Sequence, residues 1–285
     1  MARIVYVNGE FLPEAEAKIS VFDRGFLFAD GVYEVSSVLN RRLIDNARHL
    51  QRLQRSMREL DLPSPASDAE IEAIQKELIE KNDLDEGLVY LQVTRGAADR
   101  DFVYPKDPKP SLVMFTQAKA VADNAQAKIG IRVITMPDLR WGRCDIKTVG
   151  LLPASMAKMA AINAGADDAW MVDQDGNVTE GSSNNAYIVT QENVVVTRHL
   201  SEAILHGITR HAILAEAEKS QLKIEERAFT PAEAREAKEA FVTSASNLVM
   251  PVIKIDETVI GDGKPGPIAR QLRQHYVDAA AAGKL

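Results

Sequence analysis

The sequence predicts an α+β protein with two lobes. Its 285 residues are 46% hydrophobic, which is enough to bury a sizeable core. Segments with strand-like apolar runs alternate with segments of helical apolar spacing along the chain. The stretch 117–128 is poor in large apolar residues and predicts a linker. We therefore expect a small N-terminal domain over 1–118, an interdomain linker over 119–128 and a large C-terminal domain over 129–285.

The first half begins with a predicted hairpin. Asn8 and Gly9 stand between two apolar runs, and this pair suits the positive φ angles of a tight turn. A strand-rich stretch covers 31–43. Apolar residues at helical spacing then predict a helix from about Asn46 that ends before Pro63.

Further elements follow the same logic. Asp68 is expected to cap a second helix, after which LVYLQVTRG and PSLVMFTQ predict buried strands. In the second half we expect a strand at IGIRVITM, a helix over about 154–164, strands at 169–172 and 185–190, a helix from near Gly207, and strand material in AFVTSASNLVMPVIKI.

Composition excludes several partner classes. The formal net charge is −7 and the pI is near 5.4, whereas nucleic acids and anionic membranes attract basic proteins. Cys144 is the only cysteine, so it forms no internal disulfide and no multi-cysteine zinc site. The N-terminus does not resemble a signal peptide, and no run of about 18 apolar residues predicts a membrane helix. We expect a cytoplasmic protein.

Motifs for metals and nucleotides are not evident. The closest histidines, His206 and His211, are five residues apart, not the four that place two ligands on one helical face. No glycine-rich phosphate or dinucleotide loop fits the sequence. We expect no metal site.

Two polar residues in apolar surroundings could perform chemistry. Lys147, in RCDIKTVGLLPASMAK, lies between a predicted strand and a predicted helix, and an apolar environment favours the neutral amine that a Schiff base requires. Glu180 precedes a Gly-Ser-Ser-Asn run that suits a ligand-binding loop, where a carboxylate could pair with a protonated ring nitrogen. From these patterns alone, a surface lysine and a turn glutamate are the commoner explanations.

A phosphate site is suggested by the helix start at Gly207, Ile208 and Thr209. Unpaired backbone amides and the helix dipole favour an anion there, although many helices begin this way without a ligand. Arg52 could add a fixed charge, but an arginine on a helix face is usually solvated.

Together these segments resemble the fold-type IV pyridoxal phosphate aminotransferases. The motifs occur in the order of that family, and the resemblance to its D-amino-acid aminotransferases is the strongest, from about residue 3 to residue 255. It implies a two-domain fold with a small N-terminal α/β domain and a larger C-terminal pseudo-barrel domain. The motifs are VFDRGFLFADGVYEV, HLQRL, VTRGAADR, RCDIKTVGLLPASMAK, VTEGSSNNAYIV, LHGITR and FVTSASN.

The resemblance assigns roles around pyridoxal 5'-phosphate. Lys147 matches the lysine that forms the internal aldimine and then moves a proton, and Glu180 matches the carboxylate that keeps the pyridine nitrogen protonated. At Ala245 the family often has a threonine, so Ser246 or backbone amides would have to bind the phosphate there. The implied phosphate ligands are Arg52, Ile208, Thr209, Ser244, Ala245 and Ser246.

The same resemblance implies how substrate binds. Tyr33 and Arg100 match positions that hold the substrate carboxylate, and Arg100 is expected to come from the neighbouring subunit of a homodimer. Phe102 stands where these enzymes commonly carry a histidine. This departure favours apolar D-amino acids or even primary amines.

The implied function is a ping-pong transfer of an amino group from a D-amino acid to a 2-oxo acid. A branched-chain L-amino-acid aminotransferase is the second alternative, but those enzymes usually show Gly-Asn-Tyr soon after the lysine, and here 149–152 reads VGLL. An (R)-amine transaminase, an aminodeoxychorismate lyase and a catalytically silent binding protein remain as further alternatives.

Overall fold

The computed structural model describes residues 2–285 and divides into two compact units. The first unit contains 2–121, the short segment 146–150 and the terminal Leu285. The second unit contains 122–145 and 151–284. The first unit therefore includes Lys147, whereas the residues on either side of its segment belong to the second.

The first unit is a six-stranded sheet with helices. Its strand order is β2-β1-β6-β5-β3-β4, and the neighbouring strands are antiparallel. The elements are β1 (Ile4–Val7), β2 (Glu10–Pro13), α1 (Arg24–Phe28), β3 (Gly31–Leu39), β4 (Arg42–Leu43), α2 (Asn46–Glu59), α3 (Asp68–Lys81), β5 (Gly87–Thr94) and β6 (Ser111–Ala118).

The predicted hairpin and the first long helix are confirmed. Asn8 has a φ of 48° and Gly9 a φ of 108°, and they join β1 to β2 as a two-residue turn. In α2, Leu50 and Leu53 pack into the core of this unit. Burial of this apolar face stabilises the helix.

The cap of the next helix differs from the prediction. Ser67, not Asp68, is the N-cap residue of α3, and its hydroxyl accepts a hydrogen bond from the Glu70 amide. The Glu70 carboxylate accepts from the Ser67 amide, which completes a capping box. The prediction was wrong by one residue because both side chains are good caps and only Ser67 has a glutamate three residues later.

The second unit contains the remaining elements. They are α4 (Ala125–Ile129), β7 (Ile131–Pro137), α5 (Leu152–Asn163), β8 (Asp168–Val172), β9 (Val178–Gly181), β10 (Asn185–Val189), β11 (Val195–Thr197), α6 (Ile208–Lys219), β12 (Ile224–Glu226), α7 (Pro231–Arg235), β13 (Glu239–Ser244), β14 (Leu248–Ile255), β15 (Thr258–Val259) and α8 (Pro267–Ala281).

The sheet of the second unit curls back on itself. Its order is β12-β11-β10-β13-β14-β7-β8-β9, and β15 pairs with β14. The last strand in this order, β9, also lies beside β10. In the turn that joins these two strands, the Gly181 amide donates to the Asn184 carbonyl at 2.8 Å. This closure confirms the expected pseudo-barrel and places the ends of β9, β10 and β13 near one another.

Strand β9 and helix α8 were not predicted. β9 is fully buried and only four residues long, so it has no alternating pattern to detect. α8 packs against β14, with Leu272 and Tyr276 buried. Among residues 2–285, no helix has the combination of length and hydropathy needed to cross a bilayer.

Candidate active site

Strand β3 holds Lys147 within the first unit. The Tyr33 amide donates to the Lys147 carbonyl at 3.0 Å, and the Val149 amide donates to the Gly31 carbonyl at 3.0 Å. This pairing places the Lys147 Nζ 4.2 Å from the centroid of the Tyr33 ring. The side-chain nitrogen thus lies over the aromatic face. Two of the predicted site residues are therefore in contact.

Arg52 is buried in an ion pair with Glu34. Its Nε donates to Glu34 Oε1 at 2.7 Å and its Nη2 donates to Glu34 Oε2 at 2.8 Å, while His49 Nδ1 lies 2.8 Å from Oε2. Burial alone would raise the pKa of Glu34, but the charge and hydrogen bonds of Arg52, together with His49, lower it to about 2. Arg52 is thus not a solvated helix arginine, and its orientation is fixed from one side.

Arg100 lies in the loop that follows β5 and is exposed. Its guanidinium carbon is 5.3 Å from the centroid of the Phe28 ring and 5.8 Å from that of Phe102, and these two rings pack at 5.4 Å. Phe102 is 79% exposed. The structure therefore brings Arg100 and Phe102 together on an open surface of the first unit.

Two buried arginines anchor the loop that carries Arg100. Arg24 and Arg95 both donate to Asp30 Oδ2, at 2.7 and 2.8 Å. Arg24 also donates to the Asp101 carbonyl, and the Arg95 guanidinium stacks 3.6 Å from the centroid of the Tyr104 ring. These contacts fix the loop on both sides of Arg100. Sequence reasoning missed them, because no spacing along the chain pairs Arg24 with Asp101 or Arg95 with Tyr104.

In the second unit, Glu180 on β9 is 4% exposed and has several hydrogen-bond donors. Asn185 Nδ2 donates to Oε2 at 2.9 Å, and the Leu205 amide lies within 3.2 Å of both carboxylate oxygens. Arg140 Nη1 donates to Oε1. Such donors stabilise an ionised carboxylate. The predicted turn glutamate is therefore a buried, fixed anion.

Helix α6 begins close to this carboxylate. Gly207 is its N-cap residue and no side chain caps the helix start, while Thr209 in its first turn is buried. A Cβ on Gly207 would overlap Asn185 Oδ1, so the glycine allows the asparagine that binds Glu180 to lie against the helix. An uncapped helix start favours a phosphate. The prediction of a helix start at Gly207 is confirmed.

Ser244 is the last residue of β13, and Ala245 and Ser246 lie in the turn that leads to β14. The two serine hydroxyl oxygens are 3.4 Å apart. In the sheet, Thr243 pairs with Asn185, so this turn lies at the same end of the sheet as Asn185. All the predicted cofactor residues of the second unit are thus gathered at one end of its sheet.

The groups of the second unit fit a cofactor that has a phosphate and a basic ring nitrogen. The second unit offers a buried carboxylate for a protonated nitrogen and, within a few residues of its Leu205 partner, an uncapped helix start for a dianion. The first unit offers the amine of Lys147 and the guanidinium of Arg52. This donor set is the one that the resemblance implies for pyridoxal 5'-phosphate.

The fold and these groups define a class of enzyme. Residues 31–255 match the family described as Amino-transferase class IV, and the chain belongs to this family. It is a pyridoxal-phosphate-dependent aminotransferase of fold type IV, as the sequence predicted.

The relatives agree on the class. The chain is 38% identical to a D-alanine aminotransferase from Staphylococcus aureus (strain MSSA476) over 274 residues, which are 95% of this chain and 96% of the relative. It is 39% identical to the D-alanine aminotransferase of Bacillus licheniformis, with 94% of each chain covered.

Solved structures share the fold. A branched-chain amino acid aminotransferase from T.th., solved with pyridoxamine 5'-phosphate, has a TM-score of 0.90 at 26% identity, covering 99% of this chain and 95% of the other. The branched-chain enzyme of Escherichia coli has a TM-score of 0.92 at 21% identity, with coverages of 98% and 94%, which shows the fold alone.

Proposed function

We propose that this enzyme transfers the amino group of a D-amino acid, such as D-alanine, to a 2-oxo acid by a ping-pong mechanism. The observation that carries the proposal is the identity of 38–39% to D-alanine aminotransferases over nearly the whole chain. The branched-chain enzymes are similar in fold, but those named above are 21–26% identical. We keep a branched-chain L-amino-acid substrate as the second candidate.

Each proposed cofactor residue has a separate task. When bound, pyridoxal 5'-phosphate supplies an electron-accepting ring that stabilises negative charge at the substrate Cα. Lys147 would hold the cofactor covalently, and its amine would move the Cα proton. Glu180 would keep the ring nitrogen protonated.

The phosphate needs an anchor that does not move during the reaction. The amides at the start of α6 and the Thr209 hydroxyl would donate to it, with Arg52 as counter-charge. We include Ser244, Ala245 and Ser246 in this anchor because they lie at the same end of the sheet as Asn185. The Glu34 pair holds Arg52 in one orientation, which lowers the entropy lost on phosphate binding.

We assign substrate recognition to Tyr33, Arg100 and Phe102. The Tyr33 ring already contacts Lys147, so a substrate at the lysine amine would lie next to this ring. A guanidinium binds a carboxylate with two parallel hydrogen bonds, and Arg100 would supply it to the neighbouring subunit. Exposed Phe102 adds apolar surface beside that guanidinium, which favours substrates with apolar side chains.

A homodimer is part of the proposal. Each unit exposes apolar side chains that a second copy could cover: α5 presents Leu152, Met156 and Met159 in a helical stripe, and a groove of about 340 Å³ in the first unit is lined by Val21 and Phe26 among others. We also place the enzyme in the cytoplasm, which its single cysteine supports.

Substrate assays test the main proposal. The purified enzyme with pyridoxal 5'-phosphate is given 2-oxoglutarate and one of three donors: D-alanine, L-leucine or (R)-1-phenylethylamine. We expect pyruvate and D-glutamate from D-alanine at the highest kcat/KM. A preference for L-leucine would establish the second candidate, and a preference for the amine would identify an amine transaminase. In a separate assay, pyruvate release from aminodeoxychorismate would identify a lyase.

Covalent labelling tests the cofactor assignment independently of the substrate. Borohydride reduction of the cofactor-loaded protein should leave a pyridoxyl group on the peptide that contains Lys147, and mass spectrometry locates it. A label on another lysine, or none, would contradict the assignment.

A further inference from the structure

Glu180 is one member of a charge cluster that also contains Arg140 and Asp138. Arg140 donates from Nη1 to Glu180 Oε1, and from Nη2 to Asp138 Oδ2 at 2.7 Å. Its Nε donates to the other oxygen of Asp138 at 3.0 Å. The guanidinium therefore bridges two carboxylates, and its two-bond contact is with Asp138.

Asp138 is itself fixed in the protein. It accepts from the Arg140 amide at 3.0 Å and from the Thr179 hydroxyl at 2.8 Å. Burial would raise the pKa of Asp138, but its bonds to Arg140 and Thr179 lower it overall, so the carboxyl is charged at neutral pH. The cluster consequently contains two negative charges and one positive charge.

A neighbouring thiol does not change this balance. Burial raises the pKa of the Cys144 thiol to about 11, and it therefore remains uncharged at neutral pH. The net charge of the cluster is −1. Without Asp138, Arg140 and Glu180 would form a neutral pair.

We propose that Asp138 is a positioning residue that compensates Arg140 and so leaves the charge of Glu180 available to the protonated ring nitrogen of the cofactor. The inference rests on the proposed role of Glu180. In this arrangement Arg140 holds the Glu180 carboxylate in one orientation. Asp138 compensates the positive charge that Arg140 brings next to Glu180. The two functions are carried by different residues and can be separated by mutation.

Charge substitutions with opposite expected signs test this proposal. Asp138→Asn makes the cluster neutral, so the Kd of the apo-protein for pyridoxal 5'-phosphate should rise about tenfold. Arg140→Gln makes the cluster −2 and should lower the Kd. The double variant restores −1 and should return the Kd close to the wild-type value. Glu257→Gln, which removes an exposed carboxylate paired with Lys254 in the same unit, is the control and should leave the Kd unchanged.

A spectroscopic readout accompanies the affinities. With ring-¹⁵N-labelled cofactor, the nitrogen chemical shift should move towards the unprotonated value in Asp138→Asn and not in the double variant. The kcat of Asp138→Asn should fall, with little change in its KM for substrate. A merely structural role predicts that both single variants weaken binding and that the double variant is weaker still, and this result would overturn the proposal.

The failure of the inference is distinguishable from failure of the proposed function. If Lys147 is labelled and Glu180→Gln weakens cofactor binding, but Asp138→Asn does not, only the role of Asp138 is refuted. If Glu180→Gln also leaves the Kd unchanged, the ring-nitrogen contact itself is wrong.

Discussion

Glu34 and Arg52 form a two-bond ion pair between strand β3 and helix α2, with bond lengths of 2.7 and 2.8 Å and both side chains buried. Removing one partner of such a pair leaves an uncompensated buried charge. The pair is thus a stability element of the first unit as well as the support of a proposed phosphate ligand.

Glu34→Gln should therefore destabilise the protein at pH 7 by about 3–5 kcal/mol. The pKa of Glu34 is lowered from 4.5 to about 2 on folding, so its contribution is complete above about pH 5 and is lost as the pH falls towards 2. The difference in free energy of unfolding between wild type and variant should narrow over that range, as urea titrations would measure. Glu77→Gln breaks an exposed pair with Lys81 and should cost under about 1 kcal/mol. Equal losses in both variants would contradict the buried-pair account.

Lys147→Ala should abolish transamination and leave the fold intact, because only the covalent anchor and proton carrier are removed. Activity with D-alanine and circular dichroism are the measurements. Lys158→Ala is the matched control, since Lys158 is an exposed lysine on α5 that contacts Asp167 and Asp168, and it should retain full activity. Turnover by Lys147→Ala at the wild-type rate would refute the assigned role.

Arg100→Ala should lower kcat/KM about 100-fold for D-alanine but much less for a simple amine, because a lost charge-assisted contact to a carboxylate costs about 2–5 kcal/mol. Steady-state kinetics with both donors measure the ratio. Arg41→Ala, at an exposed arginine paired with Asp83, serves as control. If Arg100→Ala reduced kcat/KM equally for both donors, Arg100 would not bind the carboxylate.

Ala245→Thr should tighten binding of pyridoxal 5'-phosphate about tenfold, since a hydrogen bond to a charged group contributes about 1.5 kcal/mol. Ser246→Ala should weaken it if the serine hydroxyl binds the phosphate in place of the threonine. Titration of the apo-protein gives both values. Unchanged affinity in the two variants would remove this turn from the phosphate site.

Met156→Glu should disrupt the proposed dimer by placing a charge in the apolar stripe of α5. Light scattering should show the mass falling towards the 31.3 kDa of one chain, with loss of activity because Arg100 would no longer reach the neighbouring subunit. Ala69→Glu adds the same charge at an exposed position in the first turn of α3 and should leave the mass unchanged. A monomeric wild type would refute the dimer outright.

Local signals were sufficient for much of the fold. The Asn8-Gly9 turn, α2 and the start of α6 could be predicted because their determinants lie within a few residues of one another. Strand β9 could not be predicted, because a short strand buried on all sides has no polar positions that mark its period. Helix α8 packs on β14, so its formation depends on tertiary contacts.

The site divides in the same way. Lys147, Glu180 and the α6 start could be proposed from motifs, and the structure places Lys147 beside Tyr33. Arg140 and Glu34 could not, because each acts through a partner on another strand or helix. Asp138 could not either, because it acts through Arg140, whose contact with Glu180 is made only in the fold. A one-dimensional pattern contains residue types but not the partners that compensate their charges.

The segment 146–150 is joined to β3 by backbone hydrogen bonds although its sequence neighbours fold elsewhere. A fragment beginning at residue 122 would therefore retain the Lys147 amine but lose the strand that orients it. During folding, Lys147 can become ordered only after β3, which lies more than a hundred residues earlier in the chain, has formed. A split enzyme assembled from the two halves would regain chemistry only on reconstitution, which offers a conditional switch for engineering.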